Sequence, residues 1–119
     1  MVEITMQVPD QLAQCLQPLS PWLPALLELS LAGFKTPTAQ TVAEVVAFLS
    51  SGPAAMEVAN YQVSERAQEH LRRLLALNGG GALSQAEQAE LDEIEQLEHF
   101  LILLKAQAQD LNRRAANAS

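Results

Sequence analysis

Two histidines and a run of carboxylates hold most of the chemistry this sequence could perform. His99 follows Glu98 directly, and Glu95 stands four residues before it. A di-iron bundle takes Glu-x-x-His, with ligands three apart, on each of two helices, plus a glutamate from each of two more. Here the spacing is four and no second copy of the pattern exists. His70, beside Glu69, is the other histidine. In a hairpin turning at Gly80 it stands 10 residues from the turn and His99 stands 19, so the two are only loosely level. Both are expected at the surface or boundary of amphipathic helices, with no metal and no cofactor. Cys15 has no histidine near it in sequence to act as a base, so it reads as a small buried apolar residue rather than a nucleophile.

The acids Glu87, Glu90, Asp92, Glu93, Glu95 and Glu98 crowd into one stretch. Their spacing is helical, whereas calcium requires a loop that gathers six to eight oxygens. Acids near a helix N-terminus are favourable in themselves. As a functional feature, Glu87, Glu90, Glu93, Glu95 and Glu98 form a candidate binding face for a partner's lysines and arginines. The basic residues Arg66, Arg72, Arg73, Lys105, Arg113 and Arg114 are interspersed with acids. "GGG" follows a helix rather than a strand and has no lysine beside it, so it is no phosphate loop. No Ser/His/Asp arrangement stands out. No catalytic residue is assigned, and a non-enzyme is expected.

The net charge of −7 argues against a nucleic-acid partner, because DNA affinity comes mainly from lysine and arginine. Residues 1–60 carry −4 and residues 61–119 carry −3, so neither half is a phosphate-binding surface. A basic protein partner is easier to accommodate. At 49% apolar and 4% aromatic, the 119-residue chain can build an aliphatic core in a single domain. No apolar run is long enough to span a membrane, and no secretion signal opens the chain. One cysteine excludes an internal disulfide, and a cytoplasmic protein is the simplest reading.

These residues need elements to position them, and the pattern is all-α with one short N-terminal segment in doubt between two forms. "VEITMQV" alternates Val2, Ile4, Met6 and Val8, which fits a strand or an extended arm over residues 1–8. Residues 9–59 read as short helices. The first buries Leu12, Cys15, Leu16 and Leu19 and stops at Pro18; the second buries Leu23, Leu26, Leu27 and Leu31. In the third, Thr36 caps and Val42, Val45, Val46 and Leu49 repeat at three and four; a fourth runs from Pro53 to about Ala59. After a linker at 60–63, a helical hairpin spans 64–112 and packs on the short helices. Its first helix is capped by Ser64, turns Ala67, Leu71, Leu74 and Leu75 inward, and stops at "NGGG". Ser84 with Glu87 is a capping box for the last helix, expected to end near Asn112 with residues 113–119 frayed. Ile94, Leu97, Leu101, Leu104, Ala108 and Leu111 form a seam spaced 3, 4, 3, 4, 3. The preceding helix covers about half of that seam. Residues 20–50 or a second copy must cover the rest, and a homodimer is expected.

Two stretches carry resemblances. "ITMQVPDQLAQCL", residues 4–16, resembles the opening of ribbon–helix–helix antitoxins. There, strands of two subunits pair and enter the major groove of DNA, which would make Thr5 and Gln7 the DNA-facing residues. The ribbon here has no basic residue. "AFLSSGP" (Ala47–Pro53), "LLALNGGGALSQAEQAELDE" (Leu74–Glu93) and "LEHFLILLKAQAQ" (Leu97–Gln109) resemble a group of small uncharacterised bacterial proteins of cyanobacterial type. That resemblance spans roughly residues 25–112. The group includes antitoxin-like partners encoded beside nuclease-type toxins. The resemblance implies a toxin–antitoxin setting, and the acid-rich helix from Glu87 to Glu98 suggests that it would act there by masking a basic toxin. A DNA-binding regulator and an assembly or scaffold protein are the alternatives.

Overall fold

Apolar residues recurring at three and four dominate the chain beyond residue 9, and helices follow. The computed structural model describes residues 2–118, which hold six α-helices and no strand. These are α1 (Asp10–Leu16), α2 (Leu23–Leu31), α3 (Thr38–Ser50), α4 (Ala55–Ala59), α5 (Glu65–Gly79) and α6 (Gln85–Ala118). The fold is all-α. A 3-10 turn, Gln17–Trp22, joins α1 to α2. It contains Pro18 and Pro21, whose missing N–H groups interrupt the α-helical bonding there.

The two serine caps foreseen in the sequence form. Ser64 Oγ accepts from the Ala67 amide at 3.3 Å. Ser84 Oγ accepts from the Glu87 amide at 3.1 Å, and Glu87 Oε1 accepts from the Ser84 amide at 3.1 Å. Thr36 does not cap α3 as expected: the cap position is Pro37, which has no side-chain hydrogen bond to give, and Thr36 Oγ1 accepts from the Thr38 amide at 3.2 Å from one residue further out. Gly52 closes α3 at φ 71°, and a Cβ there would lie 3.2 Å from Pro18 Cβ. Both the backbone conformation and the close approach of the 3-10 turn therefore require glycine.

One cluster of buried apolar side chains joins Trp22, Ala25 and Leu29 to Val42, Val45 and Leu49 of α3, Val58 of α4, and Leu97, Leu104 and Ala108 of α6. Val45, Leu49, Val58 and Ala108 are fully buried. Trp22 is the largest buried side chain, and its indole N–H donates to the Pro53 carbonyl at 3.0 Å. Phe48 stacks on Tyr61 with ring centroids 4.4 Å apart. The seam of α6 is thus a packing seam, covered within the chain. Leu97, Leu104 and Ala108 are buried, Leu101 and Leu111 pack against them, and Ile94 is half-buried. The uncovered length that argued for a second copy does not exist.

The structure corrects the N-terminal face. Residues 2–8 are an extended arm, and Val2 and Ile4 are more than 80% exposed. No residue of α1 is buried, and Cys15 is exposed. Its two turns pack mainly on the 3-10 segment that follows, and none of its residues joins the buried core. In α2 the buried positions are Ala25 and Leu29 rather than Leu27 and Leu31. Trp22 sets this rotation, because 22, 25 and 29 share one helical face. In α5 Leu74 is buried and Leu75 is exposed. At the other end α6 continues to Ala118 instead of fraying at 113, and Arg113 and Arg114 both pair with Asp110. Among the described residues, no helix is long and apolar enough to cross a membrane.

The seam predicts a sharp contrast between neighbours on α6. Leu97→Ala is expected to cost about 2–5 kcal/mol in urea unfolding, while the exposed Ile102→Ala stays within about 0.5 kcal/mol. Equal effects would mean that the buried face of α6 is wrongly placed. Trp22→Phe leaves the Pro53 carbonyl without its donor, for a loss of about 1–3 kcal/mol by the same measurement.

Candidate functional site

Two of the acids gathered on α6, Glu90 and Glu93, turn toward other elements and hold the chain together, and a third, Glu87, caps the helix itself. Glu93 faces the loop between α2 and α3. Its Oε2 accepts from the Lys35 amide at 2.9 Å, and its Oε1 accepts from the Thr36 amide at 3.0 Å and the Thr36 hydroxyl at 2.7 Å. Burial alone would raise the Glu93 carboxyl. The hydrogen bonds from Lys35 and Thr36, with the Lys35 charge, outweigh it and hold the group below the ordinary carboxylate value. Glu87 is also held low, first by the Ser84 amide and then by the Ser84 hydroxyl.

Glu90 is the buried acid, its side chain only 8% exposed. His70 on α5 meets it through Nε2 and Oε1. A carboxylate can only accept, so with Glu90 ionised Nε2 carries the proton. This contact ties α5 to α6. Nearby, Thr38 Oγ1 donates to the Glu90 carbonyl at 3.4 Å, which brings in the start of α3. Arg66 reaches from α5 to α3, donating to Gln40 Oε1 at 2.9 Å and lying 3.9 Å from Glu44.

These groups border a cavity of about 180 Å³ between α3, α5 and α6. Pro37, Val63, Ala67, Leu71, Ile94 and Leu101 supply its apolar wall. Thr41, Arg66, His70, Glu90 and Glu98 supply its polar groups. A more open groove continues from it toward Tyr61, Ile102 and Lys105, sharing Val63, Leu71, Glu98 and Leu101. The Tyr61 phenol is pushed up by burial and further by the Glu44 carboxylate.

The five proposed partner-binding acids therefore separate into two groups. Glu87, Glu90 and Glu93 are engaged within the chain, as helix cap, histidine partner and loop latch. Glu95 and Glu98 are exposed and make no ion pair or hydrogen bond among the described residues. The two histidines do not converge. His99 lies in a shallow cleft with Glu28, Phe34 and Phe100, away from His70. Among the described residues no group of three or more His, Cys, Asp or Glu is arranged to hold a metal ion. Thr5 and Gln7 are exposed on the arm, with no strand beside them. Sequence reasoning missed the His70–Glu90 contact although a signal was present: both residues stand ten from Gly80. It compared His70 with His99 instead. No protein-family model matches the chain, and neither a curated protein nor a solved structure matches it.

The Glu93 latch has a pH signature. A carboxyl with a depressed folded value stabilises the fold above its ordinary value, near 4.3, and loses that contribution as pH falls through the folded value. Glu93→Gln is therefore expected to unfold at lower urea than the parent at pH 7, by about 1–2 kcal/mol after allowing for partial exposure. The gap should narrow as pH falls through the depressed folded value of Glu93 and close below it. A gap that is unchanged at low pH would show that the charge of Glu93 plays no part.

Proposed function

We propose that the protein is a non-enzymatic protein-interaction module that binds a basic partner protein through the outer face of α6. The observation that carries this is the state of Glu95 and Glu98. Both are exposed and lack intrachain partners, and the exposed Ile102 and Leu103 lie one turn further along the same helix. Acids without intrachain ion pairs steer a basic partner toward the surface, and adjacent apolar side chains provide area to bury once it docks. In its most specific form the partner is a nuclease-type toxin, whose basic substrate channel the acidic helix occupies. That version draws on the resemblance of residues 25–112 to a group of small uncharacterised bacterial proteins, some of whose members are antitoxin-like.

A second reading makes the protein a DNA-binding regulator, with residues 2–8 paired to the same segment of another copy. Exposed Thr5 and Gln7 on an extended arm favour it. The arm carries Glu3 and no lysine or arginine, so it would release few counterions from DNA.

The two readings separate in a capture experiment. Tagged protein is expected to retain a stoichiometric protein partner from its native host after nuclease treatment. Glu95→Lys combined with Glu98→Lys should weaken that capture at least tenfold without changing the thermal midpoint. Recovery of nucleic acid alone, or of partners that nuclease removes, would sink the interaction reading and promote the arm as a DNA ribbon.

A further inference from the structure

The cavity between α3, α5 and α6 has a charged group that its apolar wall does not require. Glu90 lines it with a side chain that is nine-tenths buried. Oε1 is taken by His70, and no hydrogen bond to Oε2 forms within the described chain. Among the described residues no fully buried side-chain polar atom lacks a partner, so Oε2 keeps some accessible surface, and the cavity is a space that Glu90 lines. The Thr41 hydroxyl lines the same space, and the exposed Glu98 adds a second carboxylate to the lining.

We propose that this cavity receives a single lysine side chain of the basic partner, its ammonium on the unengaged oxygen of Glu90. The inference rests on the reading of the protein as a binder of a basic protein. Size supports it: the cavity itself, about 180 Å³, lies below the roughly 300–1,000 Å³ of sites for whole small molecules and suits one side chain, and the open groove that leads from it leaves room for the backbone that carries that side chain. The walls support it as well. Val63, Ala67, Leu71, Ile94 and Leu101 can cover a four-carbon stem, while the charged end needs a buried anion with hydrogen-bonding capacity left over. Lysine fits better than arginine. A guanidinium donates through a fork that wants both carboxylate oxygens, and His70 already holds one. An ammonium is a point charge that needs one oxygen of Glu90 and can use Thr41 as a second acceptor. The one permanent cation on the lining, Arg66, is drawn toward Gln40 and Glu44 of α3.

The test uses n-butylammonium, the side-chain analogue of lysine, titrated into the full chain and followed by amide NMR. Saturable shifts are expected at Ala67, Leu71 and Ile94, with a dissociation constant on the order of 1–10 mM, as suits so small a ligand. n-Butylguanidinium and n-butanol should bind at least tenfold more weakly. Glu90→Gln should weaken the ammonium at least tenfold, and Glu28→Gln, an exposed acid on α2 outside the cavity, should leave it unchanged. Ala67→Phe, which fills the cavity from α5 and leaves both carboxylates in place, should abolish binding while the thermal midpoint shows that the variant folds. Butanol binding as well as the ammonium, or indifference to Glu90→Gln, would overturn the proposal, as would the absence of saturable shifts. If the ammonium fails to bind while partner capture still depends on Glu95 and Glu98, the lysine pocket falls and the interaction reading stands.

Discussion

One helix is longer than anything available to cover it. α6 has 34 residues, about 51 Å at 1.5 Å per residue, and the whole molecule is 51 Å along its longest axis. Its hairpin partner α5 has 15 residues and reaches less than half that length. An amphipathic helix with half its apolar stripe in water would not hold. The remaining stripe therefore has to be covered by short pieces, each too short to be stable alone. α4 has five residues, well under the length at which an isolated helix persists, and exists because Val58 is buried against α6. Small residues make the approach possible. Ala108 is completely buried, and Ala55 and Ala59 pack beside the cluster. Trp22 then fills the space at the edge of these pieces and fastens its indole to the Pro53 carbonyl just ahead of α4.

Short covering pieces leave loops whose backbone groups need partners, and the acids of α6 meet that need. Glu93 takes two amides and a hydroxyl from residues 35 and 36, where α2 gives way to α3. Glu90 spans to α5 through His70. Some carboxylates of the acid-rich stretch thus act as fasteners, and Glu95 and Glu98 do not. Composition counts all of them alike as negative charge, but only some of that charge is engaged within the chain.

The hairpin was legible in the sequence because its signals are local and repetitive. The 3, 4, 3, 4, 3 seam, the Ser64 and Ser84 caps and the glycine reversal each follow from residues close together in the chain. The Glu93 latch was not legible. It joins a side chain to backbone amides 57 and 58 residues away, and backbone amides have no residue type to read. The rotation of α2 was misread for a different reason. Its leucines outnumber the places the core has for them, so periodicity admits more than one buried face. Trp22, just outside the helix, decides among them. Cys15 was misread because an apolar face in the sequence does not say whether another element covers it, and in α1 none does.

That surplus bears on function. Val2, Ile4, Met6, Leu12 and Leu31 are exposed at one end of the chain, and Ile102 and Leu103 are exposed on α6. Scattered apolar residues on a surface are ordinary and need no account. A run of alternating apolar residues with no cover is different, because it leaves apolar surface in water that the fold gains nothing from. Elsewhere on the fold stand acids that it does not use and a buried carboxylate with one oxygen unengaged. Intrachain packing accounts for none of the three. The partner proposed above would neutralise the outer acids and supply a donor to Glu90, and it would cover the apolar groups only where they border that same surface.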